Sequence, residues 1–211
     1  MGKKTITIKL DDNDIRQALD GTVRTSATAD TLIRHELGIS AHTKRIDLAT
    51  IGTDRFCGYE IKSDKDTLSR LQEQAVAYSK VLDFCYLVAT PKHIDDAIKI
   101  IPEWWGVWLA RGDDSGVTLN EMRAGYVNSC HDPFALAQML WREEALDELL
   151  HRGLGKGLSR KARHYVWLEL STAVPVDEIR QIVRNRLRSR TSWGGGNIKG
   201  VAQSGEKYRQ F

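Results

Sequence analysis

A short apolar run near the middle of the chain constrains the fold more than any other feature. The run is Phe84–Ala89, and segments with helical spacing of apolar residues stand on both sides of it. A continuous apolar run of this length is typical of a strand that is buried on both faces, as in parallel sheets. The sequence therefore predicts an α/β protein in which this run forms a central buried strand.

A β-hairpin is predicted ahead of this strand. Apolar and polar side chains alternate over residues 45–51, a turn cluster occupies residues 52–55, and residues 56–62 form the second strand. An interrupted helix is predicted over residues 11–37, broken at Gly21 and resuming near Thr31. The hairpin thus follows a helical N-terminal region.

The rest of the chain suggests a division into three parts. Further helices at 64–82 and 94–101 and a strand at 105–109 complete an α/β core predicted to span residues 1–112. Amphipathic segments at 132–150, 159–170 and 177–189 predict a small all-helical module over residues 113–190. Three helices with short connections could form a helix-turn-helix-like arrangement. Residues 191–211 are Gly-rich and basic, and we expect a disordered tail.

Charge is divided unevenly between these parts. Residues 1–150 hold 18 Lys and Arg against 24 Asp and Glu, whereas residues 151–211 hold 13 against 4. A basic segment beside an acidic body is the electrostatic pattern expected of a nucleic-acid-binding protein. Basic tails also contact acidic proteins, so this pattern alone leaves a protein partner open.

Composition argues against several classes of protein. No apolar run approaches the ~20 residues that span a bilayer, and no secretory signal is visible, so a cytoplasmic protein without a membrane partner is expected. The three cysteines, Cys57, Cys85 and Cys130, are scattered and odd in number. They predict neither a disulfide framework nor an iron–sulfur cluster.

Charged residues on the hairpin suggest a chemical site. Glu60 and Lys62 are two residues apart on a predicted strand, so both side chains leave the same face. Asp47 lies on the partner strand, where its carboxylate can meet that of Glu60. Charges gathered on an otherwise apolar strand are costly to desolvate without a partner. A divalent cation, Mg²⁺ or Mn²⁺, is the natural partner for hard oxygen ligands.

These residue types suit phosphodiester hydrolysis. A carboxylate-held metal neutralises transition-state charge and activates water, and a nearby lysine can orient or deprotonate that water. Glu36, expected at the end of the N-terminal helix, is the candidate third carboxylate. Gln74 and Tyr78 lie at i and i+4 on the following helix, where they could steady the lysine or touch substrate phosphates. His42 is a minor candidate for the same groove.

At this point the sequence resembles the PD-(D/E)XK nuclease superfamily. Asp47 followed by Glu60-Ile61-Lys62, with Glu36 before them and Gln74 and Tyr78 after them, carries the resemblance. The neighbourhood is similar to a little-characterised phage and bacterial branch, although Ile46 stands where the motif has proline. The resemblance implies a restriction-endonuclease-like α/β core, which is a mixed sheet flanked by helices, together with Mg²⁺ dependence and a DNA substrate. It also implies Glu36, Asp47 and Glu60 as metal ligands and Lys62 as the catalytic lysine.

The last predicted helix offers candidate DNA contacts. Arg180, Arg184 and Arg188 recur every four residues and would form one face that follows a phosphate backbone. The sequence thus favours a Mg²⁺-dependent deoxyribonuclease. Two alternatives stay open: a DNA-binding or adaptor protein that keeps the fold without cleaving, and a protein that binds another protein. The resemblance also leaves a homodimer open, since many nucleases with this core dimerise, although the sequence shows no symmetric apolar patch.

Overall fold

The computed structural model describes residues 8–193 of the chain. Within that range the chain forms seven helices and six strands, and all six strands precede the last four helices. The elements are α1 (Asp12–Ser26), β1 (Leu32–Ile39), β2 (Lys44–Ile51), β3 (Phe56–Lys62), α2 (Leu71–Ser79), β4 (Phe84–Ala89), α3 (Pro91–Ala97), β5 (Gly106–Asp113), β6 (Gly116–Arg123), α4 (Pro133–Ala137), α5 (Arg142–His151), α6 (Arg163–Ala173) and α7 (Val176–Ser189). Most of the tail predicted over residues 191–211 lies outside the described residues.

The six strands form one mixed sheet in the order of the sequence, β1-β2-β3-β4-β5-β6. The three central strands β3, β4 and β5 are parallel, and the outer pairs are antiparallel. The apolar run forms β4, and its last three residues are fully buried, as expected of a central strand. The prediction of an α/β fold with a mixed sheet, flanked by helices and followed by helices at its C-terminal end, is confirmed.

Helices cover both faces of this sheet. Helix α1 buries Ile15, Leu19 and Val23 against one face, and an Asp11–Asp14 capping box fixes its first turn. The opposite face packs against α2 and α3 and against the C-terminal helices in one continuous apolar core. The candidate residues of β2 and β3 therefore lie in the middle layer of a three-layer structure.

The N-terminal region differs from its prediction. Helix α1 runs through Gly21 without a break, because the buried stripe on its other side holds it against the sheet. The predicted second helical piece is wrong: Leu32–Ile39 is strand β1, which pairs antiparallel with β2. Its helix-like spacing of apolar residues was misleading, since pairing with β2 satisfies its backbone groups instead.

The domain boundary predicted at residue 112 is also corrected. It falls inside β5, and β6 continues the sheet to Arg123 by antiparallel pairing with β5. The helices that follow share their apolar core with the sheet, so residues 113–190 are not a separate all-helical module. The helix predicted over residues 132–150 is two helices, α4 and α5, with a non-helical connection at Gln138–Trp141. No helix within residues 8–193 has the length and apolar character needed to cross a membrane.

Candidate active site

The β2–β3 hairpin opens where its charged residues stand. Regular pairing ends at Leu48 and Tyr59, so the backbone of Asp47 does not continue the ladder. Instead the Asp47 carboxylate accepts a hydrogen bond from the backbone N–H of Ile61, with Oδ2 at 2.8 Å from that nitrogen. The side chain of Asp47 thus replaces a backbone partner and is fixed beside β3.

Glu60 and Lys62 lie on one face of β3, as predicted, and both are buried, at 1% and 5% relative exposure. The Lys62 Nζ atom is 2.5 Å from Glu60 Oε1 and also donates to Gln74 Oε1 at 3.3 Å. The predicted contact of Gln74 with the lysine is therefore present. These groups satisfy one another in a region where unpaired charges would be strongly disfavoured.

Tyr78 has a structural role that differs from the predicted contact with nucleic acid. Its side chain is fully buried, and its hydroxyl donates to Glu60 Oε2 at 2.7 Å and also contacts the Arg45 carbonyl oxygen. Burial, followed by the negative charge of Glu60, raises the pKa of Tyr78 well above its usual range. The phenol therefore stays neutral and orients Glu60, and a phosphate group cannot reach it.

Glu36 approaches the same place from the other side of β2. It stands on β1 between the paired residues His35–Leu48 and Leu37–Ile46, so it lies across from Asp47. Its backbone has a φ of 53°, a left-handed conformation that is unfavourable for a residue with a side chain. We call Glu36, Asp47 and Glu60, on three neighbouring strands, the carboxylate row.

An arginine that the sequence did not reveal joins two members of this row. The Arg16 Nη2 atom on α1 lies 2.9 Å from Glu36 Oε1 and 3.7 Å from Asp47 Oδ1. Its Nη1 donates to the backbone carbonyl of Asp47 at 2.6 Å, and its Nε to Asp12 Oδ2 at 3.0 Å. The spacing of Asp12 and Arg16 indicates a helical ion pair, but no sequence pattern links Arg16 to the hairpin.

The electrostatics of Asp47 reflect this crowding. Burial, and then the negative charge of Glu60, raise the pKa of Asp47 to about 7. The Ile61 N–H, Arg16 and Lys62 act in the opposite direction but do not cancel the increase. Asp47 and Glu60 are therefore close enough for their charges to repel, and an additional cation beside them would relieve that repulsion.

The side chains at this site offer a divalent cation a small donor set. Within residues 8–193 no group of three or more His, Cys, Asp or Glu side chains is arranged to hold a metal ion. Glu36 is turned towards Arg16, and both Glu60 oxygens have hydrogen-bond partners. Asp47 and Glu60 nevertheless offer hard oxygen donors with mutual repulsion, which suits Mg²⁺ or Mn²⁺. The fit thus rests on two carboxylates.

A cleft with a volume of about 380 Å³ leads to this site. Asp47 and Gln74 form part of its wall, and the buried Glu60 and Lys62 stand directly behind them. The other residues that line it are Glu36, His42, Thr43, Lys44, Arg45 and Arg70. Arg45 and Arg70 are exposed, so a polyanion entering the cleft would meet positive charge before the carboxylates.

The arginines of α7 do not form the predicted DNA-binding face. Arg180 donates from Nε and Nη2 to the buried Asp83 at 2.9 and 2.6 Å, and Arg184 from Nη1 to the same carboxylate at 3.2 Å. Arg188 donates to the backbone carbonyl of Asp30 at 3.0 Å. The basic face is therefore turned towards the rest of the protein, where it docks α7.

Comparison with known proteins finds similarity to one curated protein and to one solved structure. Over 162 residues the chain is 25% identical to protein cII of Enterobacteria phage P4. That match covers 77% of this chain and 60% of the relative, so the chain spans less than two thirds of the curated protein that it matches. A solved structure of SPO1766, a protein of unknown function from Silicibacter pomeroyi, matches 72% of this chain and 100% of its own, with 13% identity and a TM-score of 0.42.

A family profile covers more of the sequence than either of these. The profile described as bacteriophage P4 protein cII matches residues 12–193, from the first residue of α1 to the last residue that the structure describes. The match therefore includes the whole carboxylate row, Lys62 and Gln74. Because it extends over far more than half of the 211 residues, the chain belongs to the bacteriophage P4 protein cII family.

Proposed function

We propose that this protein is a metal-dependent nuclease that hydrolyses phosphodiester bonds in DNA. The observation that carries the proposal is the grouping of Asp47, Glu60, Lys62 and Gln74 at the point where β2 and β3 separate. This grouping differs from a surface ion pair, because Glu60 and Lys62 are buried and burial of charge is costly unless it is compensated. Resemblance of the motif to PD-(D/E)XK nucleases supports the same class of reaction.

Each residue would have a separate task. Asp47 and Glu60 would hold Mg²⁺ or Mn²⁺, which supplies charge neutralisation and an acidified water when bound. Lys62, positioned by Glu60 and Gln74, would hold a water or carry a proton at its amino group. Tyr78 would keep Glu60 oriented through its hydroxyl.

The cleft supports a nucleic-acid substrate. Arg45 and Arg70 are exposed at its rim, and their guanidinium groups could contact backbone phosphates on either side of the bond to be cut. Contacts of this kind position a strand without selecting its sequence. The cleft would therefore bind a polynucleotide through its backbone, without recognition of particular bases.

Substitution of the lysine and the buried glutamate tests this function. Purified protein would be incubated with single-stranded, duplex and branched DNA in Mg²⁺, Mn²⁺ or EDTA, beside Lys62→Met and Glu60→Gln. We expect metal-dependent cleavage that falls by about a hundredfold or more in both variants. Lys65→Met is the matched control, because Lys65 is an exposed lysine whose partner is Asp11. Cleavage that persists in both site variants would overturn the assignment.

A second candidate function is DNA binding without cleavage. One observation favours it: the carboxylates already have partners, with Glu60 held by Lys62 and Tyr78 and Glu36 held by Arg16. The same assay separates the two functions. Binding that weakens steeply with salt, without cleavage of any substrate, would support the binding protein and contradict the nuclease.

A further inference from the structure

Arg16 places a positive charge within the carboxylate row. Its Nη2 atom lies 2.9 Å from Glu36 Oε1 and 3.7 Å from Asp47 Oδ1, and Nη1 donates to the Asp47 carbonyl at 2.6 Å. The side chain is only 19% exposed, so these contacts are partly shielded from water. Charge-assisted bonds of this kind are stronger than ordinary hydrogen bonds.

We infer that Arg16 is a built-in cation that competes with divalent metal for the carboxylate row. The inference rests on the proposed function, since it concerns the metal site of that function. The guanidinium group now neutralises Glu36 and lies beside Asp47, two of the three oxygen donors that the motif offers. A divalent ion that approached these donors would be repelled by the guanidinium group at a distance of only a few ångströms.

The surroundings of Arg16 allow the guanidinium group to move aside. Asp12, one helical turn before it on α1, already accepts from Nε at 3.0 Å and from Nη2 at 3.3 Å. Release of the contacts to Glu36 and Asp47 would therefore leave Arg16 paired with Asp12 rather than unpaired. Metal binding and the inward contacts of Arg16 are thus two alternatives with a free-energy difference between them.

Metal titration of the full chain tests this competition. Mn²⁺ binding would be measured by calorimetry, without DNA, at a pH well above the pKa of about 7 for Asp47. We expect Arg16→Met to lower the dissociation constant about tenfold, which is a typical coupling between competing sites. Arg24→Met is the matched control on the same helix, because Arg24 pairs with Asp20 and touches no member of the row. The Mn²⁺ affinity of Arg24→Met should equal that of the wild type.

The other outcomes separate this inference from the proposed function. Equal affinity of wild type and Arg16→Met would overturn the competition while leaving the metal site in place. Weaker binding by Arg16→Met would overturn it too, because Arg16 would then support the site. If none of the three proteins binds Mn²⁺, the metal site fails and the inference fails with it.

A measurement on the wild type covers the case in which Arg16→Met does not fold. The Nη–H signals of Arg16 would be followed by nuclear magnetic resonance during a Mg²⁺ titration and assigned by their absence in Arg16→Lys. We expect these signals to shift and to exchange faster with solvent as Mg²⁺ saturates, because Nη1 and Nη2 hold the contacts to Asp47 and Glu36. Nη–H signals that stay unchanged at saturating Mg²⁺ would overturn the inference.

Discussion

Asp47 joins the two roles of the hairpin, because one carboxyl group both completes the β3 backbone and faces the cleft. Its Oδ2 atom accepts from Ile61, which any side-chain carbonyl oxygen could also do. Its negative charge is what the fold disfavours, since burial and Glu60 raise the pKa of Asp47 to about 7. Ionisation of Asp47 therefore lowers the stability of the folded protein, as is expected of a carboxylate at a functional site.

This pKa predicts how Asp47→Asn changes stability with pH. The folded-state pKa lies above the ordinary value of 3.8, so the wild type loses stability as pH rises from about 4 to about 7. The variant has no such loss. We expect it to gain about 2 kcal/mol relative to the wild type between pH 5 and pH 8. Thermal unfolding of both proteins in EDTA, at pH 5 and at pH 8, measures this gain. If the stability difference between variant and wild type were the same at the two pH values, the prediction would be contradicted.

The sequence predicted most of the site, because the information is local. Glu60 and Lys62 share a face by the two-residue period of a strand, and the helix after β3 brings Gln74 to the lysine. Arg16 could not be predicted, since its contact with the Asp47 carbonyl joins residues 31 apart in the chain. Only the packing of α1 on the sheet creates that contact.

At the scale of elements, the errors come from residues that tertiary contacts override. Gly21 predicts a helix break, but the ideal position of a β-carbon there has no neighbouring atom within 4 Å. The glycine therefore lies on the open side of α1, and the buried stripe on the other side keeps the helix continuous. The error at β1 has a related cause, because this segment forms a strand only through its pairing with β2.

Gly21→Ala should therefore stabilise the protein. Alanine fits without contact and removes the backbone freedom that glycine has in the unfolded chain, which is worth about 0.5–1 kcal/mol. Chemical denaturation measures the gain. Gly58→Ala provides the contrast, because a β-carbon there would lie 2.4 Å from Leu82 Cδ1, and this variant should be destabilised. A loss of stability in Gly21→Ala would show that α1 is not continuous.

At the scale of the whole molecule, one buried carboxylate connects the C-terminal helices to the sheet. Asp83, just before β4, accepts hydrogen bonds from Arg180 and Arg184 of α7 and from the Phe56 backbone N–H at the start of β3. Burial alone would raise its pKa, but His131, whose Nε2 lies 3.2 Å from Oδ1, and Arg180 lower the pKa below the ordinary value. The basic charge of the last helix is therefore largely used inside the fold, which the net charge of a segment cannot reveal.

Asp83→Ala should destabilise the protein by about 3 kcal/mol, because two arginines and one backbone N–H would lose their acceptor. Asp177→Ala is the control: it removes an exposed partner of the same Arg180 and should change stability by less than about 0.5 kcal/mol. Since the folded pKa of Asp83 is lowered, its contribution is present at neutral pH and is lost as pH falls through that value. Unfolding of the wild type and the two variants, measured at neutral and acid pH, checks the size of the stability loss and its pH dependence. Equal losses of stability in the two variants at neutral pH would contradict the role of Asp83.

The left-handed backbone at Glu36 has a consequence for the evolution of this molecule. Glycine adopts a φ of 53° more easily than glutamate, so selection for folding alone favours glycine at position 36. Selection for a negative charge across the β1–β2 pair from Asp47 favours glutamate. The two pressures oppose each other at this one position, and a lineage that no longer needs the charge is expected to drift towards glycine there.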